Sequence, residues 1–413
     1  DIALPDVILR QTEKMAMADV AWLKPDHHIV MMGDSDDVDV RDRISVAAYL
    51  FLNSVLRFGG FDRLDYESIW DLGMKAGEEY AGMERRKPDF TSLFLEHSGN
   101  TYFRSDWSER ANFLHLHSGT MGAGHGHSDK LHIDLVVNGE DVLMDGGRYT
   151  YVSGPKRFSY KDPSGHNTIT VDDLPFTVCK DSWECSKLSQ PVKENFRCTK
   201  LAEFAQAGQL GYMDLPSGVY VNRKVVYIKP DLYVLADEMY TGDRHTYQQY
   251  FHFNNHGTVT QNAPGEKKFP CVAYRGKMAE ADFYFVSAQV KAELKSGHIA
   301  RHYNVEEENT VCKVTKQGEG FTSLITVIDA QPGRPLSIEK LPVRSALKQT
   351  DYPETMAEAL KITAGEKEYV VILCHQEVNS PTDLVEADGC MGYGNVIVFD
   401  KAGDVLVGDV LNW

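Results

Sequence analysis

The segment Gly122-Ala123-Gly124-His125-Gly126-His127-Ser128-Asp129 carries two histidines at i and i+2. In an extended segment both side chains leave on one face, about 6.5–7 Å apart along the chain. That spacing lets one ring hold a metal ion while the other meets a ligand. Neutral imidazole is a common zinc ligand, and the same side chain titrates near neutral pH. The flanking glycines let backbone or substrate approach closely. Two further groups could complete a metal site. One is Asp145, in Leu143-Met144-Asp145-Gly146-Gly147, and the other is His166, in Ser164-Gly165-His166-Asn167-Thr168. Two histidines and an aspartate supply three N/O ligands and leave a fourth position open.

Local pairing alone does not gather these groups. If Asn138–Glu140 is a three-residue hairpin loop, Asp145 falls opposite Ile133. That leaves about 20 Å of straight strand between it and His127. The chain must therefore bend near Ser128–Lys130. Arg148, Lys156 and Arg157 lie between Asp145 and His166 and are candidates for gripping sulfate or carboxylate groups. His252, in Tyr250-Phe251-His252-Phe253-Asn254, is a candidate substrate-facing ring, the favoured alternative being a hydrogen-bonded core histidine. His115 and His117 read as one alternating face of a strand. The acidic run Gly33–Asp37 lacks the spacing and closing Glu of a calcium loop and reads as a helix-capping loop.

The elements that must position these groups change character along the chain. Residues 1–90 read as helical. Pro5–Leu23 places Val7, Ile8, Gln11, Met15, Ala18 and Trp22 near one face. A second helix spans about Asp39–Arg57, stopped by Gly59-Gly60, and a third spans Tyr66–Ala76. From Thr91 onward, short Val-, Ile-, Phe-, Tyr- and Thr-rich segments alternate with Gly, Asn, Asp and Pro, as in an antiparallel sandwich. Asn112–His117, His132–Val137, Asp141–Met144, Val219–Ile228, Leu232–Met239 and Thr246–Phe253 are among the expected strands. The class is α+β, multidomain: helices over 1–90, a large β-sandwich over 91–345 and a smaller β unit over 346–413.

A net charge of −17 argues against a nucleic-acid partner, which needs a basic surface. It also sits awkwardly with a polyanionic ligand unless a local basic groove exists. No apolar run reaches the roughly 18–20 residues of a membrane span, so no membrane partner is expected. The seven cysteines are scattered and odd in number, which is no disulfide framework, although Cys179 and Cys185 could bridge. The chain opens at Asp1 inside an expected helix and without a leader pattern, and the expectation is a start within a larger protein.

Trp107, the strand near Asn112–His117, Gly124-His125-Gly126-His127-Ser128-Asp129, Asp145-Gly146-Gly147 with Tyr149, and Gly165-His166-Asn167-Thr168 follow in this order. The pattern resembles the β-domain signature of the heparinase II/III superfamily of polysaccharide lyases, and is closest to heparinase III. The helical start, with Met32-Gly33-Asp34-Ser35-Asp36, is similar to the last helices of that family's α/α toroid. The resemblance is strongest over residues 100–170 and thin beyond about 260. It implies that His125 is the active-site histidine. It also implies that His127, Asp145 and His166 bind a metal that holds the loop presenting His125; zinc is expected, another divalent ion possible. The implied reaction is β-elimination in a uronic acid-containing glycan, heparan sulfate favoured, with the proton removed at C5. The alternatives are a lyase for alginate or hyaluronan and a non-catalytic carbohydrate-binding β-module.

The family also uses an Asn-His pair to neutralise the uronate carboxylate and a toroid Tyr as acid or base. No matching pair precedes residue 100, and Tyr66 and Tyr80 fall in the wrong helices. The chain is therefore expected to hold the His125 half of a site and to be weakly active or inactive alone. Resemblance also implies a periplasmic or secreted protein acting on an acidic polysaccharide.

Overall fold

The computed structural model describes residues 4–263, 265–376, 382–402 and 405–412. The N-terminal part holds five helices, Asp6–Trp22, Arg41–Phe51, Ser54–Gly59, Tyr66–Leu72 and Met74–Ala81, where three were expected. Leu52 adopts φ 51°, a left-handed conformation that ends the helix before it. Asn53 then caps the next helix by accepting from the backbone N–H groups of Val55 and Leu56. Gly73, at φ 89°, divides the last two. The first helix buries Ala16, Val20 and Ala21, while Val7, Ile8 and Met15 of the expected apolar face are exposed. Val20, Ile44, Leu56 and Tyr80 form the small helical core.

Two antiparallel sheets make the sandwich. The first runs Leu93–Leu95, Asn100–Arg104, Phe113–His117, His132–Val137, Glu140–Leu143, Arg244–Phe253, Val305–Glu319 and Lys291–His302, with Ile169–Val171 also paired to Arg244–Phe253. The second runs Thr258–Gln261, Cys271–Arg275, Glu280–Phe285, Thr322–Asp329, Leu232–Tyr240, Val219–Ile228, Ala202–Tyr212 and Pro191–Cys198. Leu114, Ile133 and Leu135 from one sheet meet Val225, Tyr227 and Leu235 from the other in the main core.

The second sheet is covered on both faces. Val226, Val234 and Ile325 point away from that core and pack against Leu360, Ile362 and Val371 of a third sheet. This is why its central strands read as nearly continuous apolar runs rather than alternating ones. The third sheet contains Leu336–Leu341, Ala357–Ala364, Lys367–Cys374, Val396–Ala402 and Val405–Asn412. The strands of the third sheet thus begin at Leu336. The turn-forming stretch Gln331-Pro332-Gly333-Arg334-Pro335 precedes them.

Cys179 and Cys185 form a disulfide across a short hairpin, Val178–Cys179 with Cys185–Lys187. Cys271, Cys312, Cys374 and Cys390 are buried thiols and Cys198 is exposed. Among the described residues no helix is long and apolar enough to cross a membrane.

Candidate active site and metal centre

Asn138 and Gly139, both at positive φ, make a two-residue turn with Val137 opposite Glu140. An irregularity then shifts the register so that Leu135 faces Leu143. The tighter turn and the irregularity compensate, and Asp145 continues the line toward Ile133 as the sequence implies. The required bend is present. His132 N–H donates to Asp129 O at 3.0 Å, and Leu131 takes φ 65°. Asn167 fastens the junction, its Nδ2 donating to Ile133 O at 2.8 Å and Met144 O at 3.1 Å. The buried Arg223 guanidinium donates to Leu131 O and Asn167 O while paired with Asp237.

These bends bring His127, Asp145 and His166 together, all buried, with one ligand atom of each within 4.8 Å of the others. His166 Nδ1–H donates to Asp145 Oδ2 at 2.7 Å, and Asp145 Oδ1 accepts from Gly147 N–H at 2.8 Å. His127 Nε2–H donates to Asp34 Oδ1 at 2.8 Å. That leaves His127 Nδ1 and His166 Nε2 buried with no hydrogen-bond partner. An unsatisfied buried polar atom costs about 1–3 kcal/mol. Two lone-pair nitrogens beside a carboxylate are a donor set that zinc accepts, so the residues fit a metal ion.

His125 occupies the opposite situation. Its side chain is 67% exposed, and Nδ1–H donates to Asp34 Oδ2 at 3.0 Å. With that tautomer Nε2 carries the lone pair. Asp34 also accepts from the buried Arg157 guanidinium at 2.9 Å. Burial opposes ionisation of Asp34, but the bonds from His127 and Arg157 override it and hold its carboxyl well below the usual range. The loop carrying Asp34 is docked through backbone as well, Asp34 N–H donating to His125 O at 3.0 Å.

His125 lines a cleft of about 530 Å³ together with Asp34, Ser98, Asn100, His117 and Tyr151. His115 and His117 both sit on Asn100 Oδ1, at 2.9 and 2.8 Å, so the strand-face reading holds, yet His117 also reaches the cleft. Burial pushes His117 down to about 4, which keeps it neutral. A larger cavity of about 790 Å³, beside Arg41, Phe61 and Trp107, lies among the helices and contains none of the His/Asp cluster.

The expected substrate-gripping groups are placed differently. Arg157 is fully buried and its charge is taken by Asp34, so it holds the site from behind. His252 is buried, its Nε2–H donating to Ser164 O at 2.9 Å, and burial pushes it down to about 4. It is a core histidine, the favoured alternative. Arg148 is partly exposed but forked onto Asp36 at 2.8 and 2.9 Å. Lys156 pairs with Glu306. Asp34 joins His125 and His127 although neither its type nor its spacing marks it in the sequence. Only its place in Met32-Gly33-Asp34-Ser35-Asp36 hinted at it.

The model of the heparinase II/III-like C-terminal family matches residues 87–337, which hold both sheets of the sandwich together with His125, His127, Asp145 and His166 but not Asp34. The chain belongs to this heparinase II/III-like family. Solved structures of the same fold include heparan sulfate lyase HepC from Pedobacter heparinus, 17% identical with a TM-score of 0.70 over 91% of this chain and 55% of that one. A mutant of HepC matches at 18% and 0.70 with the same coverage. A heparinase III matches at 15% and 0.67, over 90% of this chain and 55% of that one. The chain therefore spans about half the length of these heparinase-like relatives. No curated protein sequence matches it.

Proposed function

We propose that this heparinase II/III-like chain carries the His125 side of a polysaccharide lyase site. The substrate is a uronic acid-containing glycan, heparan sulfate favoured. The observation that carries the reading is the His125–Asp34 pair, an exposed imidazole in a cleft with Nδ1–H fixed on a buried carboxylate. A lone pair on Nε2 so oriented can accept the C5 proton, and the resulting imidazolium is stabilised by Asp34. The electron pair released at C5 forms the C4–C5 double bond as the C4–oxygen bond breaks. The leaving oxygen takes a proton, and the product is an unsaturated uronate.

His127, Asp145 and His166 would hold a metal, zinc by donor type, that keeps the loop carrying His125 in place. Arg148, partly exposed beside the site, would meet an acidic group on the glycan. The helices of residues 4–90 we read as the end of an α/α toroid, supported by the exposed Val7, Ile8, Met15 and Leu50. The carboxylate-neutralising Asn-His pair and the Tyr of the family are not recognised in this chain, so its turnover alone is expected to be weak. The Cys179–Cys185 disulfide supports a periplasmic or secreted location.

The pairing of Arg148, Lys156 and Arg157 with acidic partners favours a second reading, a lyase for an unsulfated uronan. Ultraviolet absorbance of the unsaturated product, measured with heparan sulfate, hyaluronan and alginate, separates the two. His125→Ala should lower whichever rate is seen by about 10²–10⁴. An undiminished rate in that variant overturns the reading.

A further inference from the structure

Trp183 sits between Cys179 and Cys185, at the tip of the disulfide-closed hairpin. Its ring centroid is 5.2 Å from that of His125, edge-on, and 5.0 Å from that of Tyr151, tilted by 32°. His125 and Tyr151 both line the cleft, and Trp183, in ring contact with both, is 50% exposed. Tyr151 stacks in turn on Tyr303, 5.3 Å away.

The loop is fastened at many points. Asp181 accepts from Trp183 N–H at 2.7 Å and Glu184 N–H at 2.8 Å. Ser182 Oγ–H donates to Tyr151 O at 2.7 Å, and Ser182 N–H to Ser153 Oγ at 3.0 Å. Lys161 ties the hairpin to the histidine loop, donating to Ser182 O at 3.1 Å and to Gly124 O at 2.8 Å. Gly124 packs closely against the hairpin, since a Cβ there would meet Trp183 O at 3.3 Å. A large indole half open to water, on a loop so constrained, is pre-organised for a flat apolar partner.

We propose that Trp183 is a sugar-stacking residue of this site. It receives the C–H face of a pyranose ring next to the one presented to His125, and the Cys179–Cys185 disulfide holds it in position. This rests on the carbohydrate reading above. Because stacking reads the ring face, sulfated and unsulfated chains should both depend on it.

The test is calorimetric titration of the whole chain with a heparan sulfate hexasaccharide and an unsulfated heparosan hexasaccharide, in a His125→Ala background so that turnover does not consume them. Trp183→Ala should weaken both ligands by about tenfold, and Trp183→Phe by no more than about threefold. The Cys179→Ser/Cys185→Ser double variant should resemble Trp183→Ala. Equal affinity in the Trp183→Ala and parent chains, or no binding of either hexasaccharide to the parent, overturns the stacking proposal. Parent-like affinity in the double serine variant overturns the role of the disulfide. Since binding is read without catalysis, these outcomes are independent of whether His125 is the base.

Discussion

Asp34 and His127 meet at 2.8 Å although 93 residues separate them in the chain. The other oxygen of the same carboxylate holds His125 at 3.0 Å. One buried carboxylate on the helical side thus fixes both rings of the His-Gly-His segment. It leaves Nδ1 of His127 buried without a hydrogen-bond partner beside Asp145 and His166, and Nε2 of His125 available to the cleft.

The first prediction concerns the charge behind this arrangement. Arg157 and Asp34 are a buried pair, and removing one partner leaves the other uncompensated. Asp34→Ala and Arg157→Leu should each cost about 3–5 kcal/mol. Arg148→Leu, which breaks a more exposed pair with Asp36, should cost about 0–1 kcal/mol. Denaturant unfolding of the three variants measures this. A larger loss for Arg148→Leu than for Arg157→Leu would return Arg157 to a substrate-gripping role.

Gly33 carries the second prediction. It lies at φ +55°, and a Cβ there would meet the carbonyl oxygen of His125 at 2.5 Å. Backbone cannot yield as a flexible side chain can. Gly33→Ala should add about 1–2 kcal/mol of left-handed strain and displace the histidine loop. The expected outcome is a lower melting temperature with increased amide exchange at Gly124–Ser128. Unchanged exchange there would mean that the two loops are not clamped together.

The histidine motif and its order with Asp145 and His166 were legible from the resemblance, although only Asp145 closely follows a strand and His125 and His127 lie in the loop between Phe113–His117 and His132–Val137. Even the register was recovered, through a two-residue turn and an irregularity that together equal the expected three-residue loop. Asp34 was not legible in the spacing. It belongs to an acidic loop whose local pattern suits helix capping, and only docking of the helical part onto the sandwich brings it to the site. Arg157 misled for the opposite reason, since a cation among loop residues reads as solvated until burial is known. The strands Lys291–His302 and Val305–Glu319 went unseen because they are rich in charge, with many of their side chains in solvent. Leu52 shows the limit for helices, because nothing in its type announces a left-handed residue.

A buried network away from the site gives a pH prediction. His375 bonds Glu238 at 2.6 Å and Glu358 at 3.1 Å, and Lys224 and Lys340 reach the same carboxylates at 2.5 and 2.9 Å. Burial opposes the charge on His375, but its two glutamates override that and raise its pKa above 6.5. Its contribution is therefore complete below 6.5 and fades as pH rises through the raised value. Burial likewise opposes the charge on Glu238 and Glu358, but Lys224 and His375 outweigh it at the first, and His375 and Lys340 at the second. Both are held at about 2, contribute fully above 4.5, and lose this as pH falls toward 2. The network stabilises most between 4.5 and 6.5. His375→Ala should cost about 3 kcal/mol in that window and flatten the decline on the alkaline side. An alkaline decline of the same steepness in the variant would show that another group causes it.

The division of labour between neighbouring histidines is tested most directly by the metal content of the purified chain beside its His125→Ala and His127→Ala variants. The account predicts about one zinc or equivalent divalent ion per chain in the parent and in His125→Ala, and little or none in His127→Ala. Equal metal in all three, or loss in His125→Ala with retention in His127→Ala, would contradict it.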